Sequence, residues 1–155
     1  MPEWEKLLST QQIFQSNFPE CVLVGGTAVA IHVEHRISQD ADYVLPNLVK
    51  HFSTILNKIE QEAGWTTNRI EPPVMILGNF RGIRTGIRQL IRKEPLVTTT
   101  VRNLVIPTLE EMLRIKGFLI VRRNTTRDFI DFVVLFFHLG VKNALNALKN
   151  LDKFY

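Results

Sequence analysis

Apolar positions cluster in short runs through the middle of this chain and recur at helical spacing near both ends. Short apolar or alternating runs bounded by glycine, proline and polar residues are typical of strands, whereas apolar residues three and four apart are typical of amphipathic helices. The patterns predict strands over 21–24, 41–45, 65–70, 74–77, 83–91 and 97–105. They predict helices over 3–16, 26–35, from a cap at Asn47 to about Glu62, and over 108–121, 126–138 and 141–150.

The order of these elements favours an α/β (α+β) fold in which helices flank a mixed sheet and further helices follow at the C-terminal end. The 155 residues contain no internal repeat, low-complexity tract or linker-like stretch, and 45% of them are apolar. That supply of apolar side chains suits one core of ordinary domain size. We therefore expect a single domain over residues 1–155.

Cysteine usage and hydropathy indicate the environment of the chain. Cys21 is the single cysteine, so no internal disulfide can form, and this fits a reducing compartment. No apolar run approaches the roughly 20 residues that span a bilayer, and residues 132–137 are better interpreted as a buried helix. The N-terminal residues lack the pattern of a signal peptide. We expect a cytoplasmic protein that makes no membrane contact.

Positive charge is concentrated in two segments, although the formal net charge is only +4. Such clusters suit polyphosphate or RNA, because each phosphate contact releases counterions. They also suit an ordinary solvated surface, and no aromatic residues are interleaved to decide between the two. The clusters are Arg81, Arg84, Arg88, Arg92 and Lys93, and Arg114, Lys116, Arg122, Arg123 and Arg127.

A glycine pair and a carboxylate pair lie close together in the sequence. Gly25-Gly26 follows the apolar run 21–24, and Asp40-x-Asp42 opens the next one. Side chains alternate faces along a strand, so both carboxylates must point the same way and repel each other unless a cation lies between them. Glycines at the start of a helix let a phosphate approach the free amide groups. A tight turn and a polar strand end are the plain alternatives; together, the pairs favour a phosphate site beside a divalent-metal site.

These motifs resemble the polymerase-β-like nucleotidyltransferases, and they are most similar to the AbiEii/AbiGii toxin branch. The resemblance covers roughly residues 20–138. Its first part consists of Gly25-Gly26-Thr27-Ala28, His35-Arg36-x-Ser38 and Ser38-x-Asp40-x-Asp42. Its second part consists of the segment 107–116, which ends at Lys116, and Arg127-Asp128-x-x-Asp131.

The resemblance implies a nucleotidyltransferase-like fold and a metal-dependent transfer of a nucleoside monophosphate from an NTP to an RNA (tRNA or another RNA) or protein acceptor. It implies that Mg²⁺ or Mn²⁺ is held by Asp40 and Asp42, and that a cognate antitoxin protein is a partner. The implied catalytic residues are Asp40, Asp42 and Asp131. The implied nucleotide-binding residues are Gly25, Gly26, Thr27, Arg36, Ser38, Lys116, Arg127 and Asp128.

One departure from the superfamily pattern leaves other functions open. The later strand that would carry a third carboxylate corresponds best to residues 82–90, which contain no acid. This favours, as an alternative, a catalytically degenerate domain that binds a nucleotide or a partner protein. A third hypothesis is a basic RNA-binding module whose acids are structural.

Structural interpretations also remain open for individual residues. Thr125-x-x-Asp128 has the form of a capping box, which gives Asp128 a role in starting a helix. His32 and His35, three apart on the predicted helix, could form a zinc pair, but no cysteine or third histidine supports such a site.

Overall fold

The structure, a computed structural model, describes residues 2–149 and 151–155. The strands are β1 (Val22–Val24), β2 (Asp40–Leu45), β3 (Trp65–Glu71), β4 (Met75–Phe80), β5 (Ile83–Gln89), β6 (Thr98–Val101) and β7 (Leu104–Pro107). The helices are α1 (Pro2–Asn17), α2 (Gly25–Val33), α3 (Leu48–Glu60), α4 (Leu109–Arg123), α5 (Thr126–Leu139) and α6 (Val141–Leu148), followed by a 3-10 turn at Leu151–Lys153.

Five of the strands form a mixed sheet in the order β1-β2-β5-β4-β3. Strands β2 and β5 run parallel, whereas β1 with β2, β4 with β5 and β3 with β4 pair antiparallel. Strands β6 and β7 form a separate antiparallel hairpin. The predicted mixed α/β sheet with helices at its C-terminal end is confirmed.

Strand β2 divides its residues between a core face and a polar face. Ala41, Tyr43 and Leu45 are buried, and the ring of Phe14 from α1 lies 5.0 Å from that of Tyr43, measured between ring centroids. Because side chains alternate along a strand, burying these three residues forces Asp40 and Asp42 onto the opposite face. The packing of the core therefore orients both carboxylates.

The predicted strand over 97–105 is wrong, because two strands and a tight turn occupy these residues. Arg102 and Asn103 both adopt positive φ angles, 52° and 60°, and reverse the chain between β6 and β7. The residues on either side of this pair are mostly β-branched or apolar, which makes the pattern look like one continuous strand. The predicted strand over 83–91 ends at Gln89. The predicted helix over 141–150 ends at Leu148, and Asn150 lies outside the described residues.

Helix α5 is amphipathic, which corrects the expectation that residues 132–137 form a buried helix. Phe137 is 73% exposed, whereas Asp128, Asp131 and Leu135 are completely buried. The helix thus directs two carboxylates towards the protein interior. In residues 2–149 and 151–155, no helix is both long enough and apolar enough to cross a membrane.

Candidate active site

The turn between β1 and α2 brings two side chains against its glycines. Gly25 adopts a φ of +71°, and a Cβ atom there would lie 3.1 Å from Asp42 Oδ2. A Cβ atom on Gly26 would lie only 2.2 Å from Arg36 Nη2. A side chain at Gly25 would be strained by the positive φ angle, and a side chain at Gly26 would require the Arg36 guanidinium to move away from the start of α2.

Asp40 and Asp42 form a carboxylate pair that cationic side chains neutralise only weakly. Among the described residues, Asp40 pairs with Arg84, whose Nη1 lies 3.9 Å from Asp40 Oδ2 in an exposed contact. Burial raises the pKa of Asp42; Arg88 opposes this shift, and the negative charge of Asp40 adds to it. Carboxylate oxygens are the ligands that Mg²⁺ and Mn²⁺ prefer, so this pair fits a divalent cation.

A polar cavity of about 380 Å³ brings together most of the predicted site residues. It is large enough to hold a small-molecule ligand. Its walls include Gly25, Gly26, Arg36, Ser38, Asp40, Asp42, Lys116 and Arg127 from the prediction, and Ile37, Gln39 and Arg123 in addition. Arg123 belongs to a basic cluster visible in the sequence, and it precedes Asp128 by five residues. The basic cluster and the nearby acid were the sequence signals for the ion pair that Arg123 forms with Asp128 beside the cavity.

Asp131 is fully buried and surrounded by three cationic or hydrogen-bonding side chains. His35 Nε2 lies 2.8 Å from its Oδ1, while Lys116 Nζ and Arg36 Nη2 lie 2.9 Å and 3.1 Å from its Oδ2. Burial alone would raise the pKa of Asp131, but Arg36, Lys116 and His35 together hold it below its ordinary value. The carboxylate therefore ties α5 to α4 and to the segment that follows α2.

Asp128 is neutralised in a similar way at the beginning of α5. Lys116 Nζ lies 3.0 Å from Asp128 Oδ1, Arg123 Nε lies 2.5 Å from Oδ2, and Thr125 Oγ1 donates to Oδ2 over 2.7 Å. Burial by itself would raise the pKa of Asp128, yet these partners hold it well below the usual range. Thr125 Oγ1 also accepts from the Asp128 N–H over 3.3 Å, so the predicted cap is present.

Thr27 and Ser38 both contact the first residue of β2. The Thr27 hydroxyl donates to the carbonyl oxygen of Asp40, and Ser38 Oγ donates to the same oxygen over 3.4 Å. These bonds fix the backbone that carries the carboxylate pair. Arg127 differs from the other cations of the polar cavity, because it makes no ion pair with an acid among the residues that the structure describes.

The histidines of α2 and its following turn contact other groups and do not face each other as a metal pair. His32 Nε2 lies 2.7 Å from the carbonyl oxygen of Pro107, and His35 Nε2 contacts Asp131. Across the described part of the chain, no three histidine, cysteine or acidic side chains are grouped so that they could hold a metal ion. The zinc interpretation therefore has no geometric support, and a cation at the strand pair would need further ligands from its substrate or from water.

Gly86 occupies the position on β5 beside Asp42, where a third carboxylate on the neighbouring strand would have to stand. In the parallel pairing of β2 and β5, Asp42 is opposite Gly86. A Cβ atom on Gly86 would lie 3.9 Å from Asp42 Oδ1 and 2.6 Å from Leu77 Cδ2. The sheet therefore has a glycine, and no acid, at the position on β5 that is opposite Asp42.

No family model matches the chain. One stretch resembles curated mycobacterial proteins in an alignment of 69 positions that covers 41% of this chain. The stretch is 41% identical to the mycolic acid-containing lipids exporter MmpL11 of Mycolicibacterium smegmatis and 38% identical to the heme uptake protein MmpL11 of Mycobacterium tuberculosis. The chain spans about 7% of the length of these curated relatives.

Solved structures resemble the chain over nearly its whole length. The antibiotic-resistance factor ANT(2″)-Ia in solution matches 96% of this chain and 92% of its own, with a TM-score of 0.67 and 9% identity. The crystal structure of ANT(2″)-Ia with adenylyl-2″-tobramycin matches 94% and 95%, with a TM-score of 0.66 and 9% identity. The Megavirus polyadenylate synthase matches 90% of this chain and 32% of its own, with a TM-score of 0.56 and 14% identity. The chain therefore has the nucleotidyltransferase-like fold that these solved structures share, a mixed sheet flanked by helices.

Proposed function

We propose that the protein is a metal-dependent nucleotidyltransferase that moves a nucleoside monophosphate from an NTP to an RNA or protein acceptor. The observation that carries the proposal is the weakly neutralised pair Asp40 and Asp42, which shares one polar cavity with the glycine turn of α2. Among structures with this fold, one is bound to adenylyl-2″-tobramycin and another is a polyadenylate synthase, which supports nucleotidyl transfer as the chemistry.

In this reaction an acceptor oxygen attacks the α-phosphorus of the NTP, and pyrophosphate leaves. The amide groups of Gly25 and Gly26 bind phosphate oxygens at the start of α2, and Arg127 supplies a cation that has no acidic partner of its own. Asp40 and Asp42 would hold Mg²⁺ or Mn²⁺. When bound there, such an ion lowers the energy of the charge that develops on the phosphate oxygens.

The helical acids act through the cations that they hold. Asp131 orients Arg36 and Lys116, and Asp128 orients Lys116 and Arg123, so that these three cations line the cavity at fixed positions. Cations held in place before the substrate arrives stabilise developing charge without reorganising. In the proposal, Asp131 contributes to catalysis by this positioning.

The biological role follows from the resemblance to the AbiEii-type toxins. We propose that the protein acts in the cytoplasm as the toxin of a toxin–antitoxin pair, with tRNA or another RNA as acceptor and a cognate antitoxin as partner. The basic side chains around the cavity support a phosphate-rich substrate.

Thermal unfolding tests the donor site directly. Wild type is heated with each of the four NTPs, with and without Mg²⁺, beside Asp42→Asn and the exposed control Asp152→Asn. A ligand at 100 times its Kd adds about 2.7 kcal/mol of stability, which shifts the Tm of such a domain by several degrees. We expect a Mg²⁺-dependent shift with wild type and the control that is absent in Asp42→Asn. An equal shift in Asp42→Asn would remove the proposal.

Gly86 favours a second candidate, a degenerate nucleotidyltransferase-like domain that binds a nucleotide or a protein. With two carboxylates in place of three, the cavity could bind a nucleotide without turning it over. This candidate is favoured over the first if an NTP raises the Tm equally with and without Mg²⁺ and no label is transferred from an α-labelled NTP.

A further inference from the structure

A second cavity, of about 520 Å³, adjoins the polar one and shares Gly25, Asp42 and Arg123 with it. Its walls are largely apolar, with Val44 from β2 and Leu119 from α4 among them. Asp42 therefore borders two spaces of different chemistry. Two cavities that meet at one carboxylate give room for two substrates on either side of it.

A stacked pair of aromatic rings lies in this second cavity. The ring of Phe118 stacks on that of Tyr155, with 4.1 Å between ring centroids and 10° between ring planes. The Arg122 guanidinium lies 5.9 Å from the centroid of the Phe118 ring. A flat aromatic ligand that packs against this pair and the apolar walls around it gains ring–ring contact and apolar burial together.

The charged side chains of the cavity favour an anionic ligand. Arg88, Arg122 and Arg123 line it, whereas Asp42 is the one acid among its lining residues. Arg123 is paired with Asp128, but neither Arg88 nor Arg122 forms an ion pair with any acid that the structure describes. A polyamine such as tobramycin would meet three arginines and one acid here, whereas an anion would meet two guanidinium donors, Arg88 and Arg122, that form no ion pair within the described residues.

We propose that this apolar cavity is the acceptor site and that it selects an acceptor with a planar apolar ring and an adjoining anionic group. This inference rests on the proposed nucleotidyl transfer. The acceptor hydroxyl would lie at Asp42. The hydroxyl oxygen forms a bond to the α-phosphorus while the bond from that phosphorus to the leaving pyrophosphate breaks. The hydroxyl proton passes to solvent. A free nucleoside monophosphate and the terminal nucleotide of an RNA strand share this chemistry.

The test measures the binding of a fluorescent ligand and needs no turnover. 2-Aminopurine riboside 5′-monophosphate is titrated into the protein, since stacking on an aromatic ring quenches its fluorescence. We expect saturable quenching that persists with Mg²⁺ and a saturating NTP, and affinity at least tenfold weaker for the riboside without its phosphate. A short RNA ending in 2-aminopurine distinguishes the two sources, because tighter binding of the RNA indicates a strand end and equal binding indicates the free nucleotide.

Two variants and one control assign the binding to this cavity. Arg122→Gln, at an exposed position, should weaken the affinity about fivefold to tenfold. Phe118→Ala should remove most of the quenching. Arg69→Gln, on β3 at the far edge of the sheet, is the matched control and should bind as wild type does.

The outcomes separate this proposal from the proposed function. Competition between the probe and the NTP, or unchanged binding in both cavity variants, would overturn the acceptor site while leaving the donor site intact. Variant-sensitive probe binding in a protein that shows no NTP shift would instead overturn the nucleotidyl transfer and leave a binding cavity.

Discussion

Two pairs of aspartates lie close to the same cavity in opposite electrostatic surroundings. Asp40 and Asp42 on β2 have one exposed arginine at 3.9 Å, and the pKa of Asp42 is raised by burial and by its neighbour. Asp128 and Asp131 on α5 are buried, and their pKa values are lowered by surrounding cations despite that burial.

The difference shows that the charged side chains around a carboxylate pair, more than the sequence separation of its two acids, decide what the pair can do. A carboxylate pair that already forms ion pairs with lysine and arginine stabilises the fold, since its negative charge is balanced within the protein. A pair left with unbalanced charge has its free energy lowered by a cation that arrives with the substrate. We therefore propose metal binding for the strand pair and positioning of cations for the helix pair.

The largest expected effect is on transfer activity. The double variant Asp40→Asn with Asp42→Asn should lose about 10³-fold in rate or more, equivalent to roughly 4 kcal/mol of transition-state stabilisation. Transfer of label from an α-labelled NTP to cellular RNA or protein measures this. Without metal, the double variant should be as stable as wild type or slightly more stable. A double variant that fails to fold would contradict the distinction between the strand pair and the helix pair.

The helix pair should show the reverse, a large effect on stability. Asp131→Asn removes one partner from a buried ion pair and leaves Lys116 with one carboxylate fewer, which should cost about 3–5 kcal/mol of the free energy of unfolding. Urea denaturation measures the change, with the exposed Asp152→Asn as control. A cost below about 1 kcal/mol would show that this pair does not hold the helices together.

The two pairs should also differ in the sign of their pH dependence. Because the pKa values of Asp128 and Asp131 are lowered on folding, their stabilisation is present above pH 4, roughly, and is lost as the pH falls through the folded-state values. Because the pKa of Asp42 is raised, its ionised form destabilises the fold at neutral pH, and acidification relieves this cost. We expect Asp42→Asn to be more stable than wild type at pH 7. In urea denaturation from pH 7 to pH 3, this difference should disappear before the stabilisation by Asp128 and Asp131 is lost.

Gly86→Asp sharpens the comparison by adding a third acid to the strand pair. The new side chain would displace the end of Leu77 and add negative charge beside Asp42. We expect lower stability in the presence of a chelator, by about 1–2 kcal/mol, and a larger stabilisation by Mg²⁺ than in wild type. Thermal unfolding across a Mg²⁺ titration measures both. The same Tm with and without Mg²⁺ would mean that the strand pair does not attract the ion.

The sequence predicted the orientation of the strand pair because the alternation of β2 depends on local pattern alone. It could not predict the environment of Asp131, since Arg36 and Lys116 reach it from distant parts of the chain. The turn at Arg102 and Asn103 was missed because neither residue is a glycine, although both adopt positive φ angles. The apolar cavity beside Asp42 depends on the packing of α4 against the sheet, for which the sequence carries no local signal.

The most direct test of this assignment is equilibrium dialysis of a labelled NTP with Mn²⁺ against wild type, Asp42→Asn and Asp131→Asn, each at a temperature where all three are folded. The assignment predicts that Asp42→Asn loses the Mn²⁺-dependent binding, whereas folded Asp131→Asn retains it with a weaker affinity. Undiminished Mn²⁺-dependent binding in Asp42→Asn, or its complete loss in folded Asp131→Asn alone, would contradict it.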